Sequence, residues 1–157
     1  MDKVQSAQQV LTPIVKSIAI ALPVEAAFRL FTDQAGRWWP LLSHSVGGEN
    51  AATCILEGWT GGRFYEVDRD GQEFEWGRVL AWEPSQRAVL SFYPGRTADM
   101  ATEVEIVFEP DGSGSRLTLI HRGWEHCAPI MQAERQNYEQ GWDYVLGKYV
   151  AFTGIPA

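Results

Sequence analysis

The sequence predicts an α+β fold in which a curved antiparallel β-sheet wraps around one long C-terminal α-helix, with two short helices after the first strand. Two observations carry this expectation. Residues 102–123 read TEVEIVFEP-DGSGS-RLTLIHRG, two alternating runs joined by an Asp-Gly-Ser-Gly turn, the pattern of a β-hairpin. Residues 127–152 then read as a helix on which Tyr138, Trp142, Val145, Tyr149 and Phe152 recur at steps of four and three, forming one stripe. A helix with so wide an aromatic face needs a large apolar surface to lie on, and the preceding strands are the candidates. A curved sheet gripping a single helix leaves a concavity between them, the kind of place where small molecules bind.

The remaining elements follow in order. Residues 13–22 alternate Ile14, Lys16, Ile18 and Ile20 with Val15, Ser17, Ala19 and Ala21, an opening strand. Pro23 marks a helix start, and Val24, Ala27, Phe28 and Phe31 form its apolar face. Asp33 is expected to cap a second short helix carrying Trp38 and Trp39, which Pro40 ends. Strands are then expected over 52–58, 63–68, 73–83 and 87–93, separated by Thr60-Gly61-Gly62, Asp70-Gly71 and Pro84-Ser85-Gln86. Residues 94–101 are polar and read as a loop. Residues 1–12 are read as an N-terminal tail and residues 13–157 as a single domain, which fits a length of 157 residues.

Composition narrows the function classes. A net charge of −7 without a Lys/Arg cluster argues against neutralising a nucleic-acid backbone, and no nucleic-acid partner is expected. No apolar run is long enough to span a bilayer and the N-terminus lacks the core of a signal peptide, so no membrane insertion and a cytoplasmic location are expected. Cys54 and Cys127 form no CxxC pair and are read as structural thiols. His44, His121 and His126 lie on separate elements without ligand spacing, so no metal is expected. Nothing matches a nucleophile elbow, a P-loop or a dinucleotide fingerprint.

Four stretches together carry a resemblance: GWTGGRFYEV (58–67), DGQEFEWGRVLAWEP (70–84), RLTLIHRGWE (116–125) and QGWDYVLGKYVAF (140–152). They are similar to the Hsp90-ATPase-activator-homologue group of the START-like, or Bet v 1-like, superfamily, across roughly residues 14–152. The resemblance implies a helix-grip fold with an internal cavity. Its members include ligand binders, lipid carriers and cyclases. The leading expectation is a binder of a small apolar or aromatic molecule, without cofactor or catalysis. A co-chaperone or protein-interaction module comes second, and a cyclase or hydrolase using His121 third. An exposed edge strand would also allow a homodimer.

Eight residues are expected at the cavity. Trp38 and Trp39 are placed at its mouth, and Trp76, Phe92, Tyr138 and Trp142 along its wall. His121 shares a strand face with Leu117 and Leu119, so it points inward, as a ligand anchor or as a satisfied core histidine. Strict alternation places Arg78 inward with Phe74, Trp76, Leu80 and Trp82, as an anchor for a ligand carboxylate or phosphate, unless a bulge switches faces. Glu57, Arg63, Glu66 and Glu75 read as a solvated sheet face with cross-strand ion pairs. Gly141, mid-helix, costs on the order of 1 kcal/mol against Ala and therefore suggests a close neighbour or a cavity occupant.

Overall fold

A computed structural model describes residues 10–154. Most of the tail assigned to residues 1–12 lies outside the described residues. Strand β1 (Ile14–Ile20) leads into helix α1 (Val24–Thr32) and the single-turn helix α2 (Ala35–Trp38). Strands β2 (Ala51–Leu56), β3 (Arg63–Asp68), β4 (Glu73–Glu83), β5 (Arg87–Phe92), β6 (Thr102–Asp111) and β7 (Gly114–Arg122) follow. Helices α3 (Pro129–Gln132) and α4 (Arg135–Thr153) end the described chain. All neighbouring strands are antiparallel, in the order β1-β7-β6-β5-β4-β3-β2. The sheet and its long helix are the helix-grip arrangement expected from sequence.

The inner face of the sheet obeys the alternation of its strands. Val104, Ile106 and Phe108 on β6 and Leu117, Leu119 and His121 on β7 are all buried, each row supplying every second residue. Helix α4 lies over them through Trp142, Val145, Leu146 and Tyr149. Its start is tied down by Arg135. That buried guanidinium donates to the Thr12 carbonyl at 2.6 Å and to the Glu139 carboxylate at 2.8 Å.

Two local expectations are corrected. Helix α1 ends at Asp33, whose N–H bonds back to the Arg29 carbonyl, and Gln34 rather than Asp33 precedes α2. The long helix begins at Arg135 and not at Cys127. Ala128 is held extended by the following proline, so the chain first makes a 3-10 turn (Trp124–His126), then α3, then α4.

Strand β4 corrects the placement of Arg78. The pairing with β3 steps from Phe64↔Gly77 to Tyr65↔Glu75, leaving Trp76 as an extra residue, and the pairing with β5 skips Leu80. Trp76 and Gly77 are consequently both buried, and Arg78 and Leu80 turn outward between the two bulges. Gly77 has no alternative here: a Cβ would stand 1.8 Å from the Ser91 carbonyl oxygen. Past the second bulge Trp82 faces in again and meets Phe28 edge-on at 5.2 Å.

Candidate functional site

The first half of α4 does not close completely on the sheet. Trp39, Trp76, Phe92, Tyr138, Trp142 and Val145 border a space of about 540 Å³ that opens to the surface. The rest of its lining comes from Ser43, His44, Ser45 and Val46, from Pro94 and Gly95, and from Glu134, Asn137 and Gly141 on the helix side. The aromatic rings support one another. Trp39 lies 5.2 Å from Trp76 and 6.0 Å from Trp142, and Phe92 lies 5.8 Å from Trp142 and 6.1 Å from Tyr138. Such a wall is apolar, rigid and suited to contact with a flat ligand.

The predicted residues divide into three groups. Trp39, Trp76, Phe92, Tyr138 and Trp142 line the space. Trp38 does not: its indole packs against Phe31 and Tyr149 at 5.0 and 5.1 Å and donates to the Leu30 carbonyl. Arg78 stands outside the sheet with a half-exposed side chain and pairs with Glu75 at 2.9 Å. His121 lies behind the wall and is absent from the lining.

His121 is a satisfied interior histidine. The Trp142 indole donates to its Nδ1 at 2.9 Å, which makes Nδ1 the unprotonated nitrogen. Nε2 therefore carries the proton and donates to the Thr102 hydroxyl at 2.6 Å, and Thr102 donates onward to the Phe92 carbonyl at 3.1 Å. Burial, helped by the charge of Arg135, lowers its pKa to about 3. The ring is neutral at ordinary pH and both nitrogens are occupied, which leaves it no free position for acid–base work.

Glu66 is the residue that sequence reasoning misplaced. It is fully buried, not part of a solvated face. One carboxylate oxygen accepts the Trp76 indole N–H at 2.9 Å and the Val46 amide at 2.7 Å, and the other accepts the Gly47 amide at 2.6 Å. The carboxylate therefore ties one wall residue of the space to the loop forming its rim. The signal was legible: on β3, Glu66 falls two residues after Phe64, hence on the same inward face. The other residues of that set form surface ion pairs, Arg63 with Glu57 at 3.9 Å and with Glu73 at 2.9 Å, and Glu75 with Arg78 at 2.9 Å.

The loop pinned by Glu66 is held at further points. The Trp39 indole donates to the His44 carbonyl at 2.8 Å, the His44 amide donates to the Pro40 carbonyl at 2.9 Å, and the Ser45 hydroxyl donates to the Leu41 carbonyl at 2.6 Å. Among the described residues three ionisable side chains reach the lining: His44, Glu134 and Tyr138. Burial raises the pKa of Tyr138 to about 12; the Glu134 charge adds to this and Arg96 opposes it. Burial also pushes up both thiols, Cys54 and Cys127, aided by the charges of Glu66 and Glu125 respectively, which favours the protonated form. Among the described residues no group of His, Cys, Asp and Glu side chains could hold a metal ion, and no helix is long and apolar enough to cross a membrane.

Known proteins share this architecture. A structure from Mesorhizobium loti is 18% identical over 88% of this chain and 94% of that chain, with a TM-score of 0.66. The Aha1 dimer from Colwellia psychrerythraea is 16% identical over 92% of this chain and 98% of that chain, again with a TM-score of 0.66. At these identities the likeness concerns the fold alone. An anthrahydroquino-γ-pyrone synthase is 35% identical, covering 73% of this chain and 77% of that one, with a TM-score of 0.53. No curated protein matches significantly. The family profile described as activator of Hsp90 ATPase homolog 1-like protein matches residues 21–152, nearly the whole length, and the chain belongs to that family.

Proposed function

We propose that this protein binds a small, flat, largely apolar aromatic molecule between the sheet and the first half of α4. The observation that carries the reading is the wall of five aromatic residues around about 540 Å³ of space, with few polar groups among them. Affinity would come from apolar burial, and one or two polar contacts would set orientation. Because Arg78 faces outward and Glu134 supplies a carboxylate on the lining, fatty acids and aromatic acids fit worse than neutral ligands. A thermal-shift screen over neutral polycyclic aromatics, sterols, flavonoids and fatty acids tests this. A ligand present at a hundred times its dissociation constant adds about 2.7 kcal/mol of stability, and Tyr138→Ala should reduce the shift. Silence across the panel would remove the reading.

A catalytic reading has one specific observation in its favour, the 35% identity to an anthrahydroquino-γ-pyrone synthase. His121 does not serve it, since neither of its nitrogens is free. Turnover of a bound aromatic ligand, followed by chromatography, would replace the binder with an enzyme. The co-chaperone reading rests on the family description, and the dimeric relative supports self-association. A change in Hsp90 ATPase rate on addition of this protein would favour the first, and a dimer mass in sedimentation the second.

A further inference from the structure

His44 and Gly141 face each other across the rim of the pocket. A methyl group placed on Gly141 would lie 3.6 Å from His44 Nε2, in ordinary van der Waals contact, so the Nε2 edge of the ring is turned toward the glycine on the helix side of the lining. The other ring nitrogen, Nδ1, is engaged by the Ser43 hydroxyl at 2.7 Å. The ring stacks on Tyr144, 5.1 Å between centroids and 17° from parallel. Its backbone is fixed at both polar atoms, by the Trp39 indole on the carbonyl and by the Pro40 carbonyl on the amide. Among the described residues Nε2 has no hydrogen-bond partner.

We infer that His44 Nε2 is the polar anchor of the pocket and that the ligand it orients is a neutral aromatic bearing a phenolic or enolic hydroxyl. The inference rests on the ligand-binding reading above. A side chain locked in backbone, stacking and side-chain contacts, with one polar atom left facing a cavity, is pre-organised to contact what enters. Partial burial lowers the imidazole's pKa, which favours the neutral ring. With Nδ1 taken up by the Ser43 hydroxyl, a neutral imidazole presents Nε2 as acceptor or donor according to its tautomer, and a ligand hydroxyl, which both donates and accepts, matches either. The carboxylate of Glu134 on the same lining disfavours an anionic ligand. The five rings deeper in take the flat body of the molecule.

The test uses the full chain with pyrene, 1-hydroxypyrene and 1-pyrenecarboxylate, read by probe fluorescence and by quenching of the pocket tryptophans. The quantity of interest is the affinity ratio of 1-hydroxypyrene to pyrene. His44→Phe keeps a ring on Tyr144 and removes the nitrogen, and should lower that ratio by roughly threefold to tenfold, the ratio cancelling any change in packing that both probes share. Ser43→Ala should lower it by less, since it loosens the ring without removing it. The carboxylate should bind more weakly than the phenol. Pyrene binding with a ratio unchanged in His44→Phe overturns the anchor, as does tighter binding of the carboxylate, and the pocket reading then stands alone. Failure of all three probes to bind overturns the anchor and the pocket reading together.

Discussion

The two halves of α4 rest on the same sheet and use the same residue types, yet one builds a core and the other borders a pocket. Toward the C-terminal end, Tyr149 is fully buried, packs 5.0 Å from Phe31 and 5.1 Å from Trp38, and donates its hydroxyl to the Ala27 carbonyl at 2.5 Å. Toward the N-terminal end, Tyr138 is partly exposed, and its hydroxyl has no partner among the described residues. The difference lies in what covers the helix. Helices α1 and α2 bring side chains and backbone carbonyls to the second half, whereas the pocket side of the first half faces the loop over 43–46 and Pro94 and Gly95. Aromatic content therefore does not separate core from pocket. What separates the two tyrosines is whether the fold supplies a partner for the hydroxyl, as it does for Tyr149.

The comparison can be broken or sharpened by substitution. Phe31→Ala, in the closed half, should cost about 3–5 kcal/mol in urea unfolding while ligand affinity of the folded fraction stays the same. A large loss of affinity instead would mean that the halves are coupled. Glu66→Ala should cost about 2–3 kcal/mol, because it strands the buried Trp76 indole N–H, and it should also weaken binding by freeing the rim loop. Stability loss with unchanged binding would make Glu66 a core residue only.

The third prediction concerns acid. His121 is neutral in the fold down to about pH 3, whereas the unfolded chain takes up the proton near pH 6.5. The unfolded state thus binds more protons between those values, and stability is lost as pH falls below 6.5, at on the order of 1 kcal/mol per unit. Glu75 and Glu105, held below the usual carboxylate range by their arginine partners against the opposing effect of burial, lose their contributions only at lower pH. His121→Gln should flatten the slope between pH 6.5 and 4.5 in denaturation curves, and an unaltered slope would show that another group titrates there. The smallest pair of effects is the most direct. Tyr149→Phe should cost about 1 kcal/mol, and Tyr138→Phe less than about 0.5 kcal/mol by the same measurement.

The fold was readable because its signals are periodic. Alternation on β6 and β7 and the helical stripe place their side chains without reference to anything distant. Arg78 escaped because two bulges invert alternation between Trp76 and Trp82, and Gly77, alone in a strand, was the mark of the first. Glu66 was legible on an inward face but read by its charge instead of its position. The loop that carries His44 has no period at all. Its shape comes from contacts with Trp39 and Glu66, one of them 20 residues away, and no local pattern announces them.

The order of strands in the sheet has a consequence for how the chain reaches this state. Strand β1 is an outer strand whose one neighbour is β7, about a hundred residues later, and Arg135 fastens α4 to Thr12 and Pro13 just ahead of it. Pairing across so long a loop is entropically late, so the hairpins from β2 to β7 should collapse first, and β1 should dock as the last strand. During synthesis the apolar residues Ile14, Ile18 and Ile20 emerge about a hundred residues before the strand that pairs with them. Until β1 docks, its apolar row and the facing edge of β7 are both uncovered, and exposed apolar surface beside an unpaired strand edge is what promotes aggregation.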